Sequence, residues 1–595
     1  MAQFLKYLLA SILGVLIGIF LLFSFGSLVL AGLANQVDKT VTVQPNTMLH
    51  LKFNEPIPEL TNNLELTPLD LQNRKFLGLH EIIRTIERAR DDEDIKGIFL
   101  ETEALSSTGI ATATQLRNAL LDFKNSGKFI IAYSKYYTQG AYYLATAGDE
   151  IYINPLGLVD FRGFAAQIPF FKDMLDKVGV KMEIFYAGKF KSATEPYRRS
   201  SMSEENRYQT RVYLEAVYQA FLEEIGRSRN IEASKLRELA NNYEGGAPET
   251  AVETGLIDGI RYRDEILGDL RIRLGLDDDE KIPTISLKAY HRSNPPSTDY
   301  SIRDKVAVVY AEGSILDGEG ENGIIGDARY TSILRKLRKN DDIKAIVLRV
   351  NSPGGSAMAS ENIWREVMLA RQAGKPVIAS MGDYAASGGY YIACGADTII
   401  AEPKTLTGSI GVFLMIPNAT ELLNDKIGIN FDSVKTSDMA AGISPFFDLT
   451  NKEQRYIQQR TNYMYETFLA RVAEGRGISR DSAHEIAQGR VWIGSQALQI
   501  GLVDRLGDLE DAIQSAAAMA GLEQYRISQY PRVKDPLTEL LEELMGQEEE
   551  EPQAKIATRL LEKELPAYRP YIRLLKEVTN SKGAQARLPF VIPFD

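Results

Sequence analysis

One serine in this chain sits among unusually small neighbours, in Ala385-Ala386-Ser387-Gly388-Gly389-Tyr390. An apolar run, Val377 to Met381, precedes it and is predicted as a strand; an apolar stretch of helical spacing follows it. A serine at such a strand-to-helix turn can project its Oγ while the next backbone N–H, that of Gly388, points the same way. That pairs a nucleophile with one oxyanion donor, and the flanking glycines let a substrate backbone approach. The same residues also suit a tight turn that needs glycine at positive φ, and on this motif alone both readings stand. A second cluster, Asn351-Ser352-Pro353-Gly354-Gly355-Ser356, follows the predicted strand Ala345 to Val350. Its Gly-Gly amides can supply the other half of an oxyanion hole at the same end of a sheet, where open α/β folds place their sites. An ordinary Pro-Gly turn is the competing reading.

An activated serine needs a base. The four histidines, His50, His80, His291 and His484, lie outside both clusters, which leaves a Ser-His-Asp arrangement through His291 or His484 as a minor alternative. An internal repeat points elsewhere. Asp94 to Leu100 (DIKGIFL) matches Asp342 to Leu348 (DIKAIVL), and Tyr136 to Tyr143 matches Tyr384 to Tyr391, both at an offset of 248 residues. Gly255-Leu256-Ile257-Asp258 matches Gly501-Leu502-Val503-Asp504 at 246. A period this long is duplication of a whole domain, not a solenoid. The repeat acts as a control: Gln139 stands where the second half has Ser387, and Ser106-Ser107 where it has Gly354-Gly355. A turn needed only for folding could have kept its glycines in both copies, so the asymmetry suggests a task performed once per chain. The converse holds in the first half, where Ala187-Gly188-Lys189-Phe190-Lys191-Ser192-Ala193-Thr194-Glu195-Pro196 carries lysines that align with Asp438 and Ala440. A lysine is an effective base near neutral pH when burial lowers its pKa from about 10.4. A solvated basic loop made of Lys189, Lys191, Arg198 and Arg199 is the alternative.

The elements that must position these residues follow from the pattern. Each half alternates short β-branched runs with helix-period segments, as in Val306 to Tyr310, Thr331 to Arg338 and Glu361 to Ala373, then a strand at Asp397 to Ala401. Continuous apolar strands separated by helices imply parallel βαβ units covered on both faces. The expected organisation is an anchor over residues 1–35, a first repeat over 40–296 that supplies the lysine, a second over 301–536 that supplies the serine and oxyanion hole, and a tail over 537–595. The segment Ser293 to Thr298 is the predicted linker. The tail, with an amphipathic Leu537 to Met545, an acidic Glu548 to Glu551 and helical spacing over Ile556 to Val578, is expected to be helical or mobile and to bind a partner or the chain itself. Tyr7 to Ala34 holds 28 residues without a charge. A bilayer core of about 30 Å needs about 20 apolar residues in a helix, so 7–34 is predicted to cross the lipid bilayer. Lys6 before it weakly favours a cytoplasmic N-terminus and an exported body.

Composition narrows the function classes. The chain of 595 residues is 44% hydrophobic and 25% charged, ordinary globular values that exclude a disordered chain and a polytopic membrane protein. A net charge of −12 gives no basic footprint for nucleic acid. One cysteine, Cys394, excludes an intrachain disulfide, and no HExxH or CxxC pattern occurs, so neither a metal nor a cofactor is expected.

Taken together, NSPGG at Asn351–Gly355, YAASGGYYIA from Tyr384, LTGSIGV at Leu406–Val412 and GKFKSATEP from Gly188 resemble the signal peptide peptidase A family in its long, duplicated form. The resemblance covers the anchor, both halves and their order; Phe190 and Thr194 fall at positions that vary. It implies a membrane-anchored serine protease with a Ser–Lys dyad. Ser387 matches the nucleophile, Lys191 the general base, Ser409 a hydroxyl that orients the lysine, and Gly354 and the Gly388 amide the oxyanion hole. It implies two tandem Clp-protease/crotonase-like ββα superhelix domains, a homo-oligomer with a tetramer favoured, and released signal peptides as substrates. The location implied is the bacterial inner membrane, crossed once, with the body on the periplasmic side. Two other classes compete: a crotonase-like acyl-CoA enzyme, separable by CoA binding, and a scaffold of the same fold that has lost catalysis.

Overall fold

The computed structural model describes residues 42–63, 76–105, 108–295, 299–533 and 584–587, with residues 6, 7, 14 and 18. Apart from residues 7, 14 and 18, the predicted span 7–34 lies outside the described residues, as does most of the tail. Among the described residues no helix is long and apolar enough to cross a membrane.

The first half is built on a parallel sheet. Its strands are β1 (Thr47–Leu51), β2 (Ile95–Leu100), β3 (Phe129–Ser134), β4 (Glu150–Ile153), β6 (Gly259–Ile260) and β7 (Thr284–Ser286), in the order β6-β4-β3-β2-β1-β7. One further strand of this half, β5 (Lys181–Ala187), leaves that sheet altogether. The second half repeats the pattern with β8 (Lys305–Glu312), β11 (Ile343–Ser352), β13 (Val377–Ala386), β14 (Thr398–Ala401), β18 (Arg505–Leu506) and β19 (Arg526–Tyr530). These pair as β18-β14-β13-β11-β8-β19, the same order strand for strand. The duplication read from the sequence is therefore a duplication of topology.

Helices cover both faces, which explains the unbroken apolar strands. Along β11, Ile346, Leu348 and Val350 enter one apolar cluster while Ala345 and Val347 enter another on the opposite face. The helix predicted at Thr331 to Arg338 runs over Asp327–Lys339, and the next over Ala357–Gln372. The larger difference is β13. The expected strand ended at Met381, but β13 continues to Ala386 by exchanging its partner β14 for β15 (Leu406–Gly408). Small residues at Ala385 and Ala386 permit this, because both are fully buried between elements. β15 in turn pairs antiparallel with β17 (Val491–Ile493).

A third sheet joins the halves. It comprises β9 (Ser314–Leu316), β10 (Ile324–Gly326), β12 (Gly354–Ser356), β16 (Val412–Asn418), β20 (Gln585–Arg587) and the first-half strand β5, in the order β10-β9-β12-β20-β16-β5. β5 and β16 pair antiparallel over seven residues, from Val412 opposite Ala187 to Asn418 opposite Lys181. Of the tail, only residues 584–587 are described and they contain β20; the segments expected to be helical, Leu537 to Met545 and Ile556 to Val578, lie outside the described residues.

Polar stitches reinforce the junction. Glu59, on the first half, accepts from the Arg349 guanidinium at 2.9 and 3.1 Å, and the Arg349 side chain is fully buried. Asp383, on β13, accepts from the Thr112 backbone N–H at 2.9 Å and from Thr112 Oγ1 at 2.7 Å. Thr112 lies in the first turn of helix Ile110–Asn125, whose own N-cap, Gly109, offers no side chain. The second half therefore caps a helix of the first, satisfying a donor the helix leaves open.

Candidate active site

Ser387 stands at the N-cap of helix Gly388–Ala393, directly after β13. Its backbone adopts φ 57° and ψ −116°, a conformation that non-glycine residues rarely take. The turn is held by the Ser387 N–H, which donates to Gly408 O at 2.8 Å, and by Ser387 O, which accepts from Tyr391 N–H at 2.8 Å. Gly389 is required by close approach: a Cβ there would lie 2.6 Å from Ser352 O. The N–H of Gly388 belongs to the first helical turn, which leaves such donors without an intrahelical partner.

Lys191 arrives from the other half. β5 ends at Ala187 beside Val412, and the chain then turns through Gly188 into the short 3-10 turn Ser192–Thr194. Phe190 N–H donates to Gln488 O at 2.9 Å, and Gln209 Nε2 donates to Phe190 O and to Ser192 Oγ, each at 3.0 Å. Gly489 packs against the lysine backbone so closely that a Cβ would lie 2.6 Å from Lys191 N. The loop is clamped on both sides, and its lysine points inward. Lys189, two residues earlier, is exposed, with its Nζ above the Phe190 ring at 5.1 Å.

The two residues meet. Lys191 Nζ is 2.7 Å from Ser387 Oγ, 3.0 Å from Ser409 O and 3.1 Å from Ser409 Oγ. Ser387 and Ser409 are fully buried, and Lys191 is 1% exposed. Among the described residues no carboxylate stands with the lysine's partners, and burial pushes its amine well below the ordinary lysine range. A neutral amine at hydrogen-bond distance from a hydroxyl can take its proton, the first requirement of serine activation. Ser409 also holds a positive φ, 49°, and its N–H donates to Arg490 O at 2.7 Å. Gly354 lies at the start of β12 with φ 99°, and its N–H donates to Ser352 Oγ at 3.1 Å.

Among the described residues the first half contains no such centre. Gln139, in the position of Ser387, turns back on its own chain: its Oε1 accepts from Gly163 N–H at 2.8 Å and its Nε2 donates to Gly163 O at 3.1 Å. Asp438 and Ala440, in the positions of the lysines, are exposed. Ser106 and Ser107 lie outside the described residues. The histidines bond elsewhere: His50 to Glu101, His291 to Thr85 and His484 to Tyr465.

Peptidase family S49 matches this chain twice, at residues 122–277 and 369–523. Protease 4 of Haemophilus influenzae is 37% identical over 456 residues, 75% of this chain and 74% of that protein. The chain belongs to peptidase family S49. It is a serine protease of that family, as the resemblance to signal peptide peptidase A implied. Protease 4 of Salmonella typhi is 36% identical over 477 residues, covering 79% of this chain and 76% of that protein. The chloroplastic serine protease SPPA of Arabidopsis thaliana is 33% identical over 520 residues, covering 86% and 74%. Among solved structures, a ClpP1 mutant from Listeria monocytogenes covers 35% of this chain and 94% of its own, at 15% identity and a TM-score of 0.23.

Sequence reasoning missed three residues around this cluster. Ser352 receives the Gly354 amide and was visible only as part of the Pro-Gly cluster. Asp383 and Gln209 fix the ends of β13 and the lysine loop through partners far away in sequence, so no local pattern marks them.

Proposed function

We propose that Ser387 and Lys191 form a Ser–Lys dyad that hydrolyses apolar peptides, among them signal peptides already released into the membrane. The observation that carries this reading is the buried amine 2.7 Å from Ser387 Oγ with no carboxylate to hold its proton. Neutral Lys191 removes the Ser387 hydroxyl proton as Oγ attacks the peptide carbonyl. The resulting ammonium returns that proton to the leaving amine, and the freed amine activates the water that hydrolyses the acyl-enzyme. Ser409, through its carbonyl and hydroxyl, orients the lysine. The amides of Gly388 and Gly354 form the oxyanion hole, where one donor is worth roughly 3 kcal/mol. In that role the oxyanion shares or replaces the contact of the Gly354 N–H with Ser352 Oγ.

The two repeats are proposed as Clp-protease/crotonase-like superhelix domains, over 40–296 and 301–536, assembled as a homo-oligomer with a tetramer favoured. Residues 7–34 are proposed to hold the body at the periplasmic face of a bacterial inner membrane, beside peptides whose apolar segments partition there. The test is labelling with a fluorophosphonate probe, run on the solubilised full chain and on Ser387→Ala. Labelling that survives the substitution would remove Ser387 from the reaction.

A further inference from the structure

Ser352 is the last residue of β11, opposite Ala385 on β13, and it is fully buried. It lies against the turn that carries the nucleophile: a Cβ on Gly389 would stand 3.3 Å from the Ser352 Cβ. Its Oγ accepts the Gly354 N–H at 3.1 Å. A hydroxyl that accepts one bond still has its own proton to donate. Among the described residues nothing takes that proton from Ser352, although a buried O–H ordinarily finds an acceptor. The internal repeat adds an independent observation. At the offset of 248 residues the counterpart of Ser352 is Ala104. The hydroxyl is present in the half that has a nucleophile and absent from the half that has Gln139 instead.

Geometry brings this proton to the reacting oxygen. A hydrogen bond weakens steeply once its angle falls below about 120°, so every acceptor on one N–H lies inside a cone around it. With H···O at about 2 Å, two oxygens that share the Gly354 hydrogen stand within about 3.5 Å of each other. An oxyanion held by the Gly354 amide is therefore within reach of the Ser352 hydroxyl. We propose that the Ser352 hydroxyl is a third donor to the oxyanion, beside the amides of Gly354 and Gly388, a role that rests on the Ser387–Lys191 reading. In the resting site the Gly354 N–H holds the Ser352 oxygen in place. As Ser387 Oγ bonds to the carbonyl carbon, the π electrons of the C=O bond move onto its oxygen and the Ser387 proton passes to the Lys191 amine. The Ser352 O–H turns to the new charge and keeps its proton throughout. A hydrogen bond to a charged acceptor is about twice as strong as one to a neutral carbonyl, so the contact favours the tetrahedral state over bound substrate.

The test compares Ser352→Ala with the wild type as solubilised full chains. Alanine removes the hydroxyl and adds no atom to the buried position. Cleavage of an internally quenched apolar peptide gives kcat and KM. An apolar peptide aldehyde, which forms a tetrahedral adduct with Ser387, reads stabilisation of the oxyanion. Binding of the uncleaved peptide to Ser387→Ala, with and without Ser352→Ala, reads the ground state. Hydrogen–deuterium exchange at residues 388–391 reads the turn itself. In Ser352→Ala, kcat is expected to fall about 100-fold, as on removal of one oxyanion donor. The aldehyde should weaken by the same factor, with KM, peptide binding and exchange at the turn unchanged. A hydroxyl that only covers the Gly354 amide gives the opposite sign: cleavage as fast as wild type or faster, or an aldehyde bound as tightly or more tightly, would overturn the proposal. A loss of kcat accompanied by faster exchange at residues 388–391 would also overturn it, because the hydroxyl would then be holding the turn. Wild-type cleavage that survives Ser387→Ala removes the dyad and the third donor with it. Cleavage that Ser387→Ala abolishes and Ser352→Ala spares removes the third donor alone.

Discussion

Replacing Lys191 with methionine separates the catalytic part proposed for the lysine from what it costs the fold. The side chain is 1% exposed, and its partners are the Ser387 hydroxyl and the carbonyl and hydroxyl of Ser409. An ammonium in that place loses its hydration and gains no counter-charge, so the folded protein holds the amine neutral well below the usual lysine pKa. The unfolded chain keeps the proton up to about pH 10.4. Between those limits the unfolded state binds one proton more than the folded state, so rising pH stabilises the fold, by about 1.4 kcal/mol per pH unit. Methionine has a similar shape and no proton to lose. The Lys191→Met variant should therefore exceed the wild type in stability at the low end of this window. Its advantage should shrink by about 1.4 kcal/mol for each unit of pH gained. Peptide hydrolysis should fall by roughly 10²–10⁴-fold, the ordinary worth of a general base. The assay is denaturation of both proteins from pH 6 up to about 10, the limit set by the unfolded lysine, with cleavage measured on the same samples. In the wild type, log kcat/KM should climb one decade per pH unit up to the lysine pKa. A stability difference that stays flat with pH, or a variant that is less stable at pH 6, would mean that Lys191 is charged and paired, and would refute the reasoning.

Other outcomes follow from the same geometry. Ser387→Ala should abolish cleavage and labelling while leaving the circular dichroism spectrum unchanged, and Lys189→Ala should keep activity within a fewfold of wild type, since that side chain is exposed beside Phe190. Gly389→Ala should lose labelling together with stability, by about 1–3 kcal/mol in a melting experiment, because its Cβ meets the Ser352 carbonyl at 2.6 Å and both backbones are packed. Replacing all four histidines should leave the acid limb of the pH profile in place, whereas Lys191→Arg should remove activity, because guanidinium stays protonated.

How much of this was legible in the sequence depends on how local each signal is. Ser387 was readable because a nucleophile at a strand-to-helix turn needs small neighbours within a few residues. Gly354 was readable for the same reason, and the duplication sharpened both by offering Gln139 and Ser106-Ser107 as contrasts. Lys191 was harder. Composition alone favoured a solvated loop, and the choice over Lys189 came from the family resemblance. What decides between them is burial, set by Gln209 on helix Glu204–Arg229 and by Gln488 and Gly489 in the turn after helix Arg480–Ile486, the latter two distant in sequence from the lysine. The third sheet was not legible at all. β5 and β16 read as short apolar runs that could have closed onto their own halves, and the three residues of β20 carry no strand signal of their own. Pairing partners of that separation are fixed by tertiary contacts, which a pattern along the chain does not record.

Dividing the lysine and the serine between two halves makes the register of one strand pair a chemical constraint. Lys191 lies four residues beyond Ala187, and Ala187 stands opposite Val412. A slip of one residue along that ladder would move the lysine loop by about 3.3 Å, more than the whole 2.7 Å contact with Ser387. It would also turn every side chain of β5 to the opposite face. Phe185 resists that slip: it is 8% exposed and packs with Leu449 and Ile457, while its neighbour Tyr186 faces solvent. Rotating the pair would bury the tyrosine hydroxyl and expose the phenylalanine, a loss of roughly 1.5–3 kcal/mol for the ring alone. The apolar contact of Phe185, six residues from the amine, therefore specifies the register on which the distance between Lys191 and Ser387 depends.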